Sequence, residues 1–281
     1  MTTHTANRIP QSAAEQVPAN PAETYERYMV PALFAPAAEH LLAVASLRPG
    51  ERVLDVGTGT GIVARLAAPN VAPDGLVTGV DVSPHMLSVA RARALDEGLS
   101  IEWQEGQAEA LPYSDQCFDL VLNQFALMFF ADRRTALAEM RRVLVPGGRV
   151  VLSVFAGIDR HPFYVALDDA IARSLGTSVV GDIFALGDAD ALRDAISQAD
   201  LRDVVIEPFS ITARFPNPAG FLAGEIDVDT AAIPAMQGLD SKARQDLTTA
   251  IQQDMAEPLR RVTIGNAVHL PFEVLIARAR R

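Results

Sequence analysis

The chain of 281 residues is 49% hydrophobic, which is enough to build one or two domains with a large core. Its formal net charge of -11 argues against a nucleic-acid substrate, because phosphate binding depends on clustered Lys and Arg. The single cysteine, Cys117, cannot form an intramolecular disulfide and fits a reducing cytoplasm. We therefore expect a cytoplasmic protein, and modification of a small molecule remains open.

The N-terminal stretch divides into a tail and a helical segment. Residues 1–20 are polar and contain prolines, which predicts a loose tail without the apolar region of a secretory signal. Residues 21–48 place Tyr25, Tyr28 and Met29 at helical spacing. No run approaches the roughly twenty apolar residues that span a bilayer, so we expect no membrane span.

A glycine-rich loop follows the first predicted strand. The run from Val53 to Val56 is apolar apart from Asp55, and it leads into Gly57-Thr58-Gly59-Thr60-Gly61 and a predicted helix. Glycine permits strained backbone angles and lets a ligand approach the main chain, so the loop predicts a nucleotide-like ligand. Its G-x-G-x-G spacing departs from the G-x-G-x-x-G of dinucleotide-binding folds, where a pyrophosphate lies on the helix N-terminus.

A second predicted strand ends in a carboxylate. The apolar run from Leu76 ends at Asp81, and Ser83 and Pro84 then begin a helix as N-cap and first helical residue. An acidic side chain at this position can accept hydrogen bonds from the hydroxyls of a ribose. Asp81 therefore predicts a nucleoside-containing ligand but not its class.

Two later segments indicate which class of nucleoside-binding protein this is. Residues 106–113 read Gly-Gln-Ala-Glu-Ala-Leu-Pro-Tyr and precede a predicted strand, Phe118 to Asn123. A predicted helix then leads to Pro146-Gly147-Gly148 and a strand that ends at Phe155. Together with the glycine loop and Asp81, these segments resemble the class I S-adenosylmethionine-dependent methyltransferases of the UbiE-like (type 11) family. The resemblance covers residues 51–155.

This resemblance implies a fold and a cofactor. The fold is α/β and Rossmann-like, with a seven-stranded, mostly parallel sheet, helices on both faces, N-terminal lid helices and a C-terminal helical cap insertion. The cofactor is S-adenosyl-L-methionine. The glycine loop would lie beside its methionine part, Asp81 beside its ribose, and Gln107, where the family usually has Asp or Asn, beside its adenine. The implied cofactor-binding residues are Asp55, Gly57, Thr58, Gly59, Thr60, Gly61, Asp81, Val82, Met86, Gln107, Ala108, Asn123, Gln124 and Tyr28.

Beyond Phe155 the sequence no longer matches the motifs of this family. The pattern predicts helices after His161 and over residues 188–199, strands over 204–215 and 272–277, and a helical, acidic stretch over 217–258. We interpret residues 49–157 as the cofactor-binding core and 158–281 as the rest of the sheet, with 217–258 as a substrate-recognition cap. Candidate substrate contacts are Phe34, Phe125 and Tyr164.

The implied reaction is transfer of a methyl group to carbon, oxygen or nitrogen of a small-molecule acceptor, a quinone precursor or a secondary metabolite. Two alternatives stay open: a protein of the same fold that binds the cofactor without methyl transfer, and an NAD-dependent oxidoreductase. The sequence also leaves a homodimer open.

His161 is the leading candidate for a general base. It follows the strand that ends at Phe155, and imidazole titrates near neutral pH. The competing interpretation is an exposed residue before the helix-starting Pro162. The five histidines and Cys117 show no pairing at metal-ligand spacing, so we expect no metal site.

Overall fold

One mixed sheet organises the chain in the computed structural model, which describes residues 21–178, 180–218, 220–222, 224–225 and 238–281. The strand order is β3-β2-β1-β4-β5-β8-β6, and a short β7 pairs with β8. The first five strands in this order are parallel, whereas β8 is antiparallel to both β5 and β6. The strands are β1 Arg52–Val56, β2 Leu76–Asp81, β3 Glu102–Glu105, β4 Phe118–Gln124, β5 Leu144–Phe155, β6 Arg202–Pro216, β7 Thr263–Ile264 and β8 Ala267–Arg280.

Helices connect the parallel strands because parallel neighbours need crossover connections. Within the described residues, α3 Ile62–Val71, α4 Pro84–Asp96 and α5 Arg133–Val143 make these connections. The other helices are α1 Pro21–Thr24, α2 Ala35–Ala45, α6 Pro162–Leu175, α7 Ala189–Gln198, α8 Ser241–Asp254 and α9 Ala256–Val262. A π-helix, Tyr25–Phe34, joins α1 to α2. These elements confirm the predicted Rossmann-like fold, with the short β7 added to the expected seven strands.

The N-terminal helical segment is continuous from Pro21 to Ala45, although its prolines predict a break. By length and composition it could cross a membrane, but 44% of its most apolar window is buried inside the protein. Ala38 and Leu41 are fully buried, and His40 stacks on Phe209 of β6 with ring centroids 4.2 Å apart. Core helices pass the same hydropathy test, so the segment is weak evidence for a span.

Sheet topology places the ends of β1, β2 and β4 at one edge. Their register pairs Asp55 with Gly79 and with Leu122, so the three strands end close together. The strand order reverses between β1 and β4, and open α/β sheets bind ligands at the carboxyl ends of strands beside such a reversal. This edge carries the glycine loop.

Several predicted boundaries differ from the structure. The last strand is longer than expected, because β8 pairs along most of β6. Asp188 caps α7 from outside the helix by accepting from Ala191 N. Residues 218, 220–222 and 224–225 of the predicted cap are helical, and α8 lies within its second half. Residues 1–20 and 226–237, which include Ile226, Ile233 and Met236, lie outside the described residues.

Candidate functional site

The three glycines of the loop meet different surroundings. All have positive φ, 69° at Gly57, 56° at Gly59 and 84° at Gly61, which disfavours other residues. A Cβ at Gly57 would lie 2.5 Å from Ala126 Cβ, and one at Gly61 would collide with the ring of Trp103. At Gly59 a Cβ would meet nothing within 4 Å. Gly57 and Gly61 therefore serve packing, whereas Gly59 leaves the main chain open to an approaching group.

Asp81 ends β2 beside this open glycine. Its Oδ2 accepts from Gly59 N at 2.8 Å and its Oδ1 accepts from Ser83 N at 2.9 Å. Burial raises the pKa of Asp81, while these backbone hydrogen bonds act to lower it. Each carboxylate oxygen has a second lone pair. The side chain is thus held at the strand tip with acceptors for two further donors, as a ribose diol would require.

Asp55 is buried beneath the loop, with 1% of its surface exposed. Its Oδ2 accepts from the Thr58 hydroxyl at 2.6 Å, so it holds the loop from below. Burial raises the pKa of Asp55 to about 7, although hydrogen bonds from Thr58 and from the Ala64 backbone lower it. Thr60 is also buried, and its hydroxyl has no hydrogen-bond partner among the described residues.

The predicted adenine side lies beyond Asp81. Val82 follows the strand tip and is 63% exposed. Gln107 is exposed, whereas the adjacent Ala108 is buried. Met86 N donates to the Ser83 side chain in the first turn of α4. Gly106 N donates to Asp81 O, so the segments of Val82 and Gln107 meet here. An exposed apolar side chain and an exposed amide suit a flat ring with polar edges.

Asn123 and Gln124 end β4, and their side chains mostly form hydrogen bonds within the protein. Asn123 is fully buried, donates to Val56 O at 2.8 Å and accepts from Leu127 N at 3.1 Å. Gln124 donates to Phe34 O at 3.0 Å, and its Oε1 has no partner among the described residues. Asn123 therefore fixes the strand end, while Gln124 links it to the N-terminal helical segment.

The N-terminal segment presents Tyr25 rather than Tyr28 to the carboxylates. Tyr28 is 36% exposed. Burial raises the pKa of Tyr25, and the negative charges of Asp81, Glu26 and Asp55 raise it further, so Tyr25 is within electrostatic range of both site carboxylates. The α-helical spacing assumed from the sequence does not hold in a π-helix, which changes the residue that faces inward. Tyr25 was missed for this reason.

Aromatic rings line the route from β4 and β5 toward α6. Phe34 contacts Tyr25 and Phe125 with centroids 4.9 Å and 5.8 Å away. Phe125, which has a φ of 50°, stacks on Phe155 at 4.2 Å. The predicted substrate contacts Phe34 and Phe125 are thus brought together at the edge of the site.

His161 is neither exposed nor free. It is 1% exposed, its Nδ1 lies 3.1 Å from Gly157 O, and its Nε2 accepts from Glu273 N at 3.1 Å. Burial lowers the pKa of His161, although its backbone hydrogen bonds raise it. Both ring nitrogens therefore hold backbone groups. The predicted general base does not fit this geometry, and the exposed interpretation is also wrong.

The part of the chain that the structure describes contains no group of three or more His, Cys, Asp or Glu side chains that could hold a metal ion.

The similarity to known proteins covers the segment that carries these site residues. The family described as "Methyltransferase domain" matches residues 54–152, from the first strand to the fifth. The methyltransferase domain resemblance is therefore found over residues 54–152. The UbiE C-methyltransferase of ubiquinone and menaquinone biosynthesis from Cupriavidus metallidurans is 38% identical over 143 residues. That alignment covers 50% of this chain and 59% of the relative, so the chain spans less than two thirds of that relative.

Solved structures support the fold of this methyltransferase domain and the elements after it. The BH2331 protein of Bacillus halodurans C-125 superposes with a TM-score of 0.58 at 22% identity, covering 86% of this chain and 97% of that one. The [4+2]-cyclase SpnF superposes with a TM-score of 0.52 at 21% identity, covering 88% of this chain and 81% of that one. The resemblance to class I methyltransferases is therefore confirmed, while the fold alone is compatible with other reactions.

Proposed function

We propose that this protein transfers a methyl group from S-adenosylmethionine to a small aromatic acceptor of the quinol type. The observation that carries the proposal is the pairing of the open Gly59 with the Asp81 carboxylate at the reversal of strand order. The UbiE relative, whose name specifies carbon methylation in quinone biosynthesis, supports the acceptor class. The cytoplasm is the proposed location, since Cys117 is a free thiol.

Each proposed cofactor contact uses a feature of this chain. Asp81 would bind the ribose hydroxyls, the main chain at Gly59 would lie against the methionine part, and Val82 and Gln107 would contact the adenine. Tyr25 would cover the cofactor from the N-terminal segment, in place of Tyr28. When bound, S-adenosylmethionine supplies an electrophilic methyl group on a sulfonium sulfur.

The protein would accelerate this displacement mainly by positioning. Holding nucleophile and methyl group in line can supply several kcal/mol, on the order of the 7–11 kcal/mol available to well-oriented intramolecular reactions. The aromatic rings of Phe34, Phe125 and Phe155 would hold a flat acceptor and exclude water. Residues 217–258 would form the cap that selects the acceptor.

The test is transfer of label from methyl-labelled S-adenosylmethionine to reduced naphthoquinones, phenols and amines. Labelled product from the quinols, absent with Asp81→Ala at low cofactor concentration, is the expected result. Calorimetry with S-adenosylhomocysteine and NADH runs alongside. Tight binding of S-adenosylhomocysteine without any labelled product would favour a protein that binds the cofactor for another purpose, and binding of NADH alone would favour an oxidoreductase.

A further inference from the structure

The side-chain amide of Gln124 joins the sheet to the N-terminal helical segment. Gln124 ends β4 and is 8% exposed. Its Nε2 donates to the main-chain oxygen of Phe34 at 3.0 Å, whereas its Oε1 has no partner among the described residues. Burying an amide oxygen without a partner is costly, and an apolar side chain of the same size would avoid that cost. The contribution of this amide to the protein is therefore its bond to Phe34.

This bond is made where two helical forms meet. Phe34 is the last residue of the π-helix, and α2 begins at Ala35. Short π-helices are rare and occur frequently at functional sites. A change to α-helical geometry at this junction would turn the ring of Phe34 in a different direction. Because Gln124 holds the main chain of Phe34 at the junction, it sets where that ring points.

The two ends of the π-helix are attached separately. At the end near Tyr25, Arg65 of α3 donates to Glu26 at 2.7 Å, and both side chains are buried. At the other end the attachment is the bond from Gln124 to Phe34. Under the proposed function the first end covers the cofactor and the second end borders the acceptor. The two attachments should therefore affect different ligands.

Phe34 is the one of the three predicted acceptor contacts whose side chain is partly exposed. Phe125 is 4% exposed and Tyr164 is 7% exposed, whereas Phe34 is half-buried. The hydroxyl of Tyr164 also donates to Glu225, on the side of α6. A ring with an exposed part can pack against an aromatic ligand without rearrangement of the core. Phe34 is therefore the contact that an acceptor can reach.

The position of Phe34 is close to the place where the methyl group would lie. Its ring centroid is 5.8 Å from that of Phe125, which directly follows Gln124 at the end of β4. This strand end adjoins the glycine loop, since a Cβ at Gly57 would lie 2.5 Å from Ala126 Cβ. Under the proposed function the loop lies beside the methionine part of the cofactor, which carries the methyl group. The Phe34 ring thus borders the acceptor side of that methyl group.

We propose that Gln124 is a positioning residue for the acceptor: its amide holds the main chain of Phe34 so that the Phe34 ring completes the aromatic wall beside the reacting methyl group. This inference rests on the proposed function. Gln124 acts through Phe34, while Arg65 holds the cofactor end of the same helix. Gln124 therefore determines the affinity for the acceptor and has little effect on the affinity for S-adenosylmethionine.

The first experiment requires no acceptor. Gln124→Met keeps the length of the side chain and removes its polar atoms, and thermal unfolding confirms that the variant folds. Loss of the bond to Phe34 should make hydrogen exchange about three- to tenfold faster over residues 30–36, while residues 38–45 keep the wild-type rate. Gln124→Leu, a second apolar variant, should behave in the same way.

Gln104→Met is the matched control for this measurement. Gln104 Nε2 donates to a main-chain oxygen as well, that of Glu105 at 2.9 Å, but it lies on the exposed edge strand β3. Its loss should leave exchange over residues 30–36 unchanged. Exchange at the wild-type rate over these residues in Gln124→Met would overturn the proposal.

The second experiment measures ligand binding by calorimetry on protein loaded with S-adenosylhomocysteine. Gln124→Met and Phe34→Leu should each bind 1,4-dihydroxynaphthalene, kept reduced by dithiothreitol, about fivefold more weakly than wild type, as expected for loss of an aromatic contact. Because Gln124 acts through Phe34, the double variant should also lose about fivefold, whereas independent contributions would multiply to about twenty-fivefold. The affinity of Gln124→Met for S-adenosylhomocysteine should stay within about twofold of wild type, as should that of Gln104→Met.

The outcomes separate this inference from the proposed function. Acceptor binding by Gln124→Met at the wild-type affinity, or a loss of about twenty-fivefold in the double variant, would overturn the positioning role. So would a larger loss for S-adenosylhomocysteine than for the acceptor, since Gln124 would then act on the cofactor. A wild-type protein that binds S-adenosylhomocysteine but not the naphthalenediol would contradict the proposed acceptor class and the acceptor role of Phe34. Faster exchange in Gln124→Met would still support the attachment of Phe34 by Gln124.

Discussion

Gly59 has the positive φ of its neighbours in the loop, yet it alone of the three has open space where a side chain would project. In Gly59→Val the side chain would fill that space, so we expect loss of S-adenosylhomocysteine binding by calorimetry. Gly98→Val is the matched control, because Gly98 has a φ of 68° and an equally open Cβ position after α4. Both variants should lose similar stability through backbone strain. Normal binding by a folded Gly59→Val would show that the loop is only a structural turn.

Asp81 allows a sharper test of the same edge. Removing a charged hydrogen-bond acceptor should cost roughly 1.5–3 kcal/mol, or about ten- to a hundredfold in affinity for S-adenosylhomocysteine. We expect Asp81→Ala to show this loss and Asp81→Asn, which keeps one acceptor oxygen, a smaller one. Calorimetry on both variants, with thermal unfolding to confirm that they fold, measures the effect. Unchanged affinity in Asp81→Ala would remove Asp81 from the cofactor site.

His161 should prove structural. Truncating its buried ring leaves a cavity and removes the acceptor for Glu273 N, so His161→Ala should lower the free energy of unfolding by about 2–5 kcal/mol. The labelled-methyl assay on folded variant should retain more than a tenth of the wild-type rate, measured well below the unfolding temperature. A hundredfold slower reaction in a stable variant would restore His161 as the base.

The sequence predicted the positions of those residues whose surroundings are set by neighbouring residues in the chain. The position of Asp81 at the end of β2 follows directly from the sequence of that strand, and the loop that contains Gly59 follows from its glycine spacing. The roles of Gly61 and Gly57 could not be separated from that of Gly59, because Trp103 and Ala126 reach them from distant parts of the chain.

At the scale of elements, capping signals were more informative than periodicity. Ser83 caps α4 by accepting from Met86 N, with Pro84 in the first turn, as the sequence predicts. The π-helix had no such signal, and Pro31 inside it predicted a break instead. Because of this one element, the sequence pointed to Tyr28 where the structure favours Tyr25.

One buried ion pair and one partly exposed ion pair attach the π-helix to α3 and to the end of α4. Arg65 of α3 donates to Glu26 at 2.7 Å, both side chains being buried, and Arg65 also pairs with Glu97. Glu26 is the neighbour of Tyr25, so this cluster positions Tyr25. The π-helix also reaches β4 through the bond from Gln124 to Phe34 O.

Arg65→Met should therefore loosen the segment over the cofactor. It leaves Glu26 buried without its main partner, and such a change costs about 3–5 kcal/mol in typical proteins. We expect faster hydrogen exchange across residues 21–45 and weaker S-adenosylhomocysteine binding. Arg93→Met is the control, because Arg93 lies 3.6 Å from the same Glu26 oxygen but is 45% exposed and should contribute less than about 1 kcal/mol. Equal exchange in the two variants would contradict the positioning role of Arg65.

For the whole molecule, the mostly parallel sheet followed from the family resemblance more securely than the C-terminal half did. The strand pairing of β8 with β6 joins residues far apart in sequence, and no local motif fixes its length. The same long-range packing decides which carboxyl groups are buried. Stability as a function of pH is therefore a property of the fold that the sequence alone did not predict.

Asp55 and Asp119 should affect this pH dependence with opposite signs. Burial raises the pKa of Asp55 from 3.8 to about 7, so the folded protein binds the extra proton between these values and loses stability as the pH rises through that range. Burial acts to raise the pKa of Asp119 as well, but hydrogen bonds from Arg52 outweigh burial and lower the pKa. The stability that Asp119 contributes is therefore present above the pKa of the unfolded chain. It is lost as the pH falls through the pKa of the folded protein.

Thermal and urea unfolding of Asp55→Asn, Asp119→Asn and wild type between pH 4 and 8 would measure both effects. The stability of Asp55→Asn relative to wild type should rise steadily up to about pH 7 and stay constant above it. The size of the pKa shift limits this rise to at most about 4 kcal/mol. Asp119→Asn should be less stable than wild type at neutral pH and approach it in acid. A gain for Asp55→Asn that does not change with pH would mean that the Asp55 carboxyl group is already ionised at pH 4 in the folded protein, held by Thr58 and the backbone of α3.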